Sequence, residues 1–164
     1  MTMHAAAIIP AFNEARSIAA VVEGVRGTVA HVIVVDDGSS DETAERARAA
    51  GAEVVVHTVN LGKGHAVRTG IARVLAGAFT HVLLLDADLQ HLPAEAAALL
   101  AEAETSGAEV VLGQRRFDRS RNLNCQPISG PRGRMEKCQR RNFLLVSSRC
   151  SEVQPSRSRI SARS

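Results

Sequence analysis

An α/β fold, an open and mostly parallel sheet with helices on both faces, is what this 164-residue sequence predicts. Three observations carry that prediction. Apolar runs and helical patterns alternate regularly from the N-terminus to Gly113. The apolar runs are continuous rather than alternating, which marks strands covered on both faces and hence a parallel sheet. Each run also ends in a polar cluster. In a sheet built from right-handed crossovers such clusters collect along one rim, the carboxyl ends of the strands.

The elements follow in order. AAAIIP (5–10) reads as a strand, and NEARSIAAVVEGVRG (13–27) as a helix with Asn13 as N-cap and Gly27 as stop. HVIVVDD (31–37) is the second strand. SSDETAERARAAG (39–51) is a helix in which Ser39 and Glu42 have the spacing of a capping box, closed by Gly51. EVVVHT (53–58) is the third strand, and GKGHAVRTGIARVLAGA (62–78) is a loop running into a helix. HVLLLDAD (81–88) is the fourth strand and its end. PAEAAALLAEAETSG (93–107) is a helix with Pro93 in its first turn and Gly107 at its close, and EVVLG (109–113) is the fifth strand.

After Gly113 the order stops, and composition says the same. Residues 1–113 hold seven Lys and Arg against fourteen Asp and Glu, net −7, while 114–164 hold thirteen against three, net +10. The whole-chain charge of +3 therefore describes neither part. The expected division is an ordered α/β domain over 1–116 and a basic, Arg/Ser-rich tail over 117–164, disordered or frame-shifted, with FLLV its one compact apolar piece. All three cysteines, Cys125, Cys138 and Cys150, fall in that tail without CxxC or His spacing, which argues against zinc and against a disulfide framework. Aromatic content is 2%, with neither Trp nor Tyr, which disfavours a single-strand nucleic-acid binder. Pro10 and Glu14 come too early for a signal peptide, and no apolar run approaches the ~18 residues of a membrane span. The expectation is a cytoplasmic protein, with no nucleic-acid partner and no transmembrane segment.

The rim clusters carry the chemistry. Pro10 to Glu14 follow the first strand, Asp36 to Asp41 the second, Asn60 to Gly64 the third, Asp86 to His91 the fourth, and Gln114 to Arg116 the fifth. Asp86 and Asp88 repel each other unless a cation sits between them. Oxygen ligands in so small a number suit Mg2+ or Mn2+, with water and phosphate completing the shell. Helix capping by one of the two is the plainer alternative. A carboxylate at Asp36 or Asp37 can accept from a nucleobase imide or a ribose hydroxyl, although a turn with a capped helix also uses Asp and Gly there. NLGKG reads equally as a flexible loop or as a phosphate approach, with Gly62 and Gly64 allowing the backbone close and Lys63 placed near phosphate. Neither a GxxxxGK(S/T) loop nor GxGxxG is present.

Taken together, IIPAFNE, VVDDGSSDET, NLGKGHAVRTG and LLDADLQHLP, in this order and spacing, resemble the glycosyltransferase family 2 enzymes of the GT-A (Rossmann-like) fold. The DADLQH form is most similar to their polyprenyl-phosphate branch, the dolichyl-phosphate mannose or glucose synthases. The resemblance spans roughly residues 5–116 and implies a metal-dependent enzyme that moves a sugar from a nucleoside-diphosphate sugar to an acceptor, for this branch a polyprenyl phosphate at the inner membrane face. It implies roles by position. Pro10, Phe12 and Glu14 line base and ribose, Phe12 standing where the family commonly has Tyr. Asp37 reads the base with Asp36 beside it, and Lys63 stands near the donor phosphates. Asp86, Asp88 and Gln90 hold the metal, Asp88 most directly, and Arg115 meets the diphosphate, so that Asp88 and Arg115 are the expected catalytic residues. The family continues past the fifth strand with more sheet and the acceptor side of the cleft, so the C-terminal part of this chain reads as truncated or replaced. Two rivals remain: a non-catalytic nucleotide-sugar-binding remnant, and a nucleotidyltransferase, against which PAFNEA stands in place of a Gly-rich loop.

Overall fold

The computed structural model describes residues 3–89, 93–107, 110–115, 123–128 and 143–147; for 93, 94, 110, 112–115 and the last two segments it describes the backbone alone. In chain order the elements are β1 (Ala5–Ala11), α1 (Ile18–Arg26), β2 (His31–Asp36), α2 (Thr43–Ala49), β3 (Glu53–Val56), α3 (Lys63–Leu75), β4 (His81–Leu84), α4 (Pro93–Ser106), β5 (Val110–Arg115), β6 (Leu123–Ile128) and β7 (Phe143–Ser147). One sheet takes the order β3-β2-β1-β4-β7-β5-β6. The first four strands are mutually parallel, with Ile8 level with Ile33 on one side and with Leu84 on the other. The chain builds outward from β1 to β2 and β3, then crosses to β4 on the other side. The strand order therefore reverses between β1 and β4, and the crevice of such a sheet opens at that point.

Burial explains why the apolar runs are continuous. Ala5, Ala7, Ile9 and Ala11 pack with Val32 and Val34 against α1, α2 and α4, in a core that includes Ile18, Val22 and Leu99. Ala6 and Ile8, one residue out of step, pack with Ile33 and Val35 against Ala66 and Val74 of α3. Each strand feeds two cores, so both parities must be apolar. The amino-terminal edge of the sheet is closed differently. The rings of His4 and His31 stack on Phe79 at centroid distances of 5.0 and 5.7 Å. Glu53 meets His31 Nε2 at 2.7 Å and also accepts from Arg73. Burial pushes the Glu53 carboxyl up, but Arg73 and His31 outweigh it and hold it below its usual value.

Two expectations need correction. Both early helices start late: α1 begins at Ile18 rather than near Asn13, and α2 at Thr43 rather than Ser39. The residues expected to cap them are engaged between loops, as described below. The tail is also not free of regular structure. β6 and β7 lie within 117–164, and β7, which contains the FLLV piece, pairs antiparallel with both β4 and β5. A strand bonds through its backbone, so an open sheet edge beside β4 recruits a segment whose own sequence pattern is weak. Pro127 fits the outermost strand β6, where one row of backbone groups needs no ladder partner. The rest of the tail lies outside the described residues.

Gly70 shows how closely α3 sits on the sheet: a Cβ there would stand 2.4 Å from Cγ2 of Ile8, which is fully buried. Gly70→Ala gains helix propensity of up to ~1 kcal/mol, but overpacking costs ~1–3 kcal/mol. The expected result is a net loss of about 1–2 kcal/mol in urea unfolding, and Gly70→Val loses more.

Candidate functional site

The carboxyl-terminal edge is assembled by loops that hold one another. After β1 the chain turns through Phe12–Ser17. Asn13 N–H donates to Ser39 Oγ at 2.8 Å, and Asn13 Oδ1 accepts from Ser40 N–H at 2.9 Å. Glu14 N–H donates to Thr43 Oγ1 at 2.8 Å, and Ala15 N–H to Asp41 Oδ2 at 3.1 Å. The expected caps thus act as stitches. Asn13 takes φ 55° instead of capping α1, and no Ser39–Glu42 capping box forms. Asp41 does the capping at α2, its Oδ1 accepting from Thr43 N–H at 3.0 Å and from the Thr43 hydroxyl. The Thr43 hydroxyl, with backbone donors behind it, outweighs burial and holds the Asp41 carboxyl below its ordinary value.

Asp36 and Asp37 divide their work. Asp36 Oδ1 accepts from Ser39 N–H at 2.9 Å, so it closes its own loop and does not line the cleft. Asp37 is 3% exposed. Its Oδ1 lies 2.7 Å from His57 Nδ1 and 3.0 Å from Leu61 N, and its Oδ2 is 2.7 Å from Gly62 N. His57 Nε2 in turn meets Thr69 Oγ1 of α3 at 2.9 Å. Burial pushes the Asp37 carboxyl up, yet the hydrogen bonds from His57, Leu61 and Gly62 prevail and hold it below the usual value. Gly38 permits this packing. Its φ is +76°, and a Cβ would stand 2.7 Å from the Val59 carbonyl carbon.

α3 begins directly after that anchored loop, with Gly62 at φ 89° as its cap position and Lys63 as its first residue. Lys63 Nζ reaches Asp86 Oδ1 at 2.5 Å. Leu85 N–H still bonds Ile8 O at 3.0 Å, so the β1–β4 ladder extends to the edge of Asp86. Among the described residues Asn13 and Leu89 are the non-glycine positions with positive φ, at 55° and 57°. Each directly follows a residue of the cleft, Phe12 and Asp88. Leucine has no local hydrogen bond to offset that conformation, and backbone strain of this kind gathers at ligand sites.

An open cleft of about 350 Å³ results, at the switch point between β1 and β4. Seven of the sequence-predicted residues line it: Pro10, Phe12, Glu14, Asp37, Lys63, Asp86 and Asp88. Phe12 is 45% exposed, an aromatic ring held open to solvent. Gln90 lies outside the described residues. Arg115 is described by its backbone alone. It ends β5, which runs in the same direction as β4, but β7 stands between the two, so its backbone begins roughly 10 Å from the line of β4. The sequence reading missed His57, because it was counted inside the third strand; β3 stops at Val56, and His57 belongs to the rim.

Asp86 and Asp88 fit a hard divalent cation. Both line the cleft, and a lysine ammonium already rests on Asp86 as a stand-in charge. Among the described residues no three His, Cys, Asp or Glu gather as a cage. Two carboxylates leave most of an octahedral shell to water and phosphate, the usual arrangement for Mg2+.

An open, mostly parallel sheet with an acid-lined crevice at its switch point places the chain among the doubly wound α/β proteins. The sequence model described as Glycosyl transferase family 2 matches residues 6–160, and the chain belongs to that family. It is 38% identical over 112 residues to glycosyltransferase AglJ of Haloferax volcanii, covering 68% of this chain and 36% of that one. It is 30% identical over 118 residues to dolichol-phosphate mannosyltransferase of Pyrococcus furiosus, covering 69% and 33%. Among solved structures it resembles Mycobacterium tuberculosis glucosyl-3-phosphoglycerate synthase in complex with Mn2+, UDP and glucosyl-3-phosphoglycerate, at 29% identity and a TM-score of 0.58, over 66% of this chain and 42% of that one. The chain spans 49% and 52% of the length of two further curated relatives. The fold is that of the GT-A enzymes the sequence resembles. No helix among the described residues is long and apolar enough to cross a membrane.

Asp37→Asn keeps the shape and removes the charge. A carboxyl held low in the folded state binds protons more weakly than in the unfolded state, near 3.9. Its stabilisation is therefore full above that value and is lost as pH falls from there through the lower folded-state value. Asp37→Asn is expected to lose about 1–3 kcal/mol at pH 7, and the gap to the parent to close below about pH 4. Denaturant unfolding of both proteins from pH 7 to pH 3 measures it.

Proposed function

We propose that this chain carries the donor site of a metal-dependent glycosyltransferase, which takes a sugar from a nucleoside-diphosphate sugar. The observation that carries the reading is the convergence of Phe12, Asp37, Lys63, Asp86 and Asp88 on one cleft at the sheet's switch point. Phe12 offers its open face to a nucleobase, with Glu14 and Pro10 beside it. Asp37 already accepts three hydrogen bonds, so it serves the base both through its remaining acceptor capacity and by fixing the wall against which the base lies. Asp86 and Asp88 would hold Mg2+ or Mn2+, joined by Gln90. Bound there, a divalent cation supplies charge to the leaving diphosphate. Lys63 would add positive charge beside the diphosphate, and Arg115 is proposed to do the same from the end of β5.

A polyprenyl phosphate is the proposed acceptor class. Relatives named for dolichol-phosphate and undecaprenyl-phosphate support it. The chemistry supports it too, since a phosphate acceptor is already an anion, whereas a hydroxyl needs a general base. Such an acceptor implies a cytoplasmic protein working peripherally at the membrane face.

Asp88→Asn tests the reading. Calorimetry with UDP and with GDP, each with and without Mn2+, is expected to show metal-dependent binding of one nucleotide to the parent, and its loss in the variant with the thermal unfolding midpoint retained. Turnover of the matching sugar nucleotide with a polyprenyl phosphate should fall by about 10²–10⁴, or about 3–5 kcal/mol in the barrier. Nucleotide binding indifferent to Mn2+ and to Asp88 overturns the proposal.

A further inference from the structure

The Lys63–Asp86 pair has a consequence for how the site loads. We propose that Lys63 is a built-in counter-ion, which holds the cation position at Asp86 until a diphosphate arrives, so that metal and diphosphate enter as a pair and metal alone binds poorly. The inference rests on the donor-site reading above and deepens it.

The geometry supplies both halves of the exchange. The ammonium lies 2.5 Å from Asp86 Oδ1, and Asp86 is a proposed metal ligand. A divalent ion on that carboxylate and a lysine ammonium on the same oxygen stand within about 4 Å of each other and repel strongly, so one must leave. The lysine is able to leave. Its side chain is 62% exposed, against 23% for Asp86, and four rotatable carbons separate its charge from the backbone.

What cannot move is the lysine's base. Asp37 accepts from Leu61 N–H and Gly62 N–H, the two residues before Lys63, and so fixes the first turn of α3 at the cleft wall. The displaced ammonium therefore stays in the cleft. Gly62, Lys63 and Ala66, the opening turn of α3, line it together with Asp86 and Asp88. A diphosphate in that space gives the released ammonium a new partner beside the positive end of a 13-residue helix. Without an anion the metal displaces a counter-ion and leaves it unpaired. With one, both cations are neutralised. By linkage, diphosphate raises metal affinity by the same factor as metal raises diphosphate affinity. Lys63 increases that factor by weakening the state with metal alone.

Titration of the full chain with Mn2+, followed by the paramagnetic resonance of the free ion, tests this with and without inorganic pyrophosphate, a probe that needs no base recognition. Lys63→Met is expected to bind Mn2+ alone about threefold to tenfold more tightly than the parent, and to gain less from pyrophosphate. Lys63→Arg retains the charge and is expected to behave like the parent. Lys63→Gln repeats the first arm should the methionine variant fold poorly. Unchanged or weaker Mn2+ binding in the Met and Gln variants, with Asp88→Asn still abolishing it, overturns the counter-ion role and leaves the donor site standing. Absence of Mn2+ binding in every protein, with and without pyrophosphate, overturns the metal site itself and this proposal with it.

Discussion

A buried carboxylate organises this edge of the molecule. Asp37 stands one residue past β2, and its two oxygens accept from His57, Leu61 N–H and Gly62 N–H. Those donors belong to the end of β3 and to the loop leading into α3. Without them a nearly fully buried aspartate carries an uncompensated charge, and the backbone N–H groups lose their acceptor. With them, the β3–α3 connection is clipped to β2, and α3 starts where its first residue, Lys63, reaches Asp86. His57 extends the clip to Thr69, a further turn along α3. The position of the cleft's one described lysine is therefore set from the opposite side of β1, through the sheet and not through the lysine's own contacts.

The other loops follow the same economy. Asn13, Ser39, Ser40 and Asp41 join the β1–α1 and β2–α2 connections by side chain to backbone bonds. These are short polar residues whose geometry serves a helix cap or a loop contact equally well. Here the loop contact wins because each of the two loops satisfies backbone donors of the other at once. The cost falls on backbone conformation at Asn13, and asparagine is among the few side chains that tolerate φ near 55°. The result is a rigid wall on one side of the crevice, with Phe12 and Glu14 set on it.

The parallel sheet was legible because burial on two faces forces both parities of a strand to be apolar, and that leaves a plain mark in VIVV and VLLL. The rim was legible because all five polar clusters share one position relative to those runs. Helix starts were not legible. A residue such as Asn13 or Ser39 has the same local chemistry whether it caps its own helix or stitches to a loop more than twenty residues away, and sequence spacing reports only the first. β6 and β7 were hidden for a related reason. Their pairing is through backbone at an edge; LNCQPI alternates for only four residues before its proline, and FLLVS does not alternate. His57 was hidden inside an apparent strand, since its N–H still bonds Asp36 O and nothing in EVVVHT says that β3 itself ends at Val56.

Parity also explains why two pairs of neighbouring acids behave differently. Along β2, Val34 belongs to the core under α1, α2 and α4, and Val35 to the core under α3. Carrying that alternation to the strand end sends Asp36 to one face, where it meets Ser39 N–H, and Asp37 to the other, where it meets His57. Adjacent acids thus avoid each other across the thickness of the sheet, and each finds neutral or donor partners of its own. Asp86 and Asp88 are two apart, so the same rule puts them on one face. Leu83 and Ala87 belong to the first core and Leu84 to the second, which places both acids on the α3 side, with Pro10, Phe12 and Asp37. No change of face can relieve their repulsion. On that side α3 brings a positive charge, Lys63, to Asp86. The alternation that parts Asp36 from Asp37 therefore leaves Asp86 and Asp88 on the same side of the sheet, and the ammonium that rests on Asp86 is the charge the proposed cation would replace.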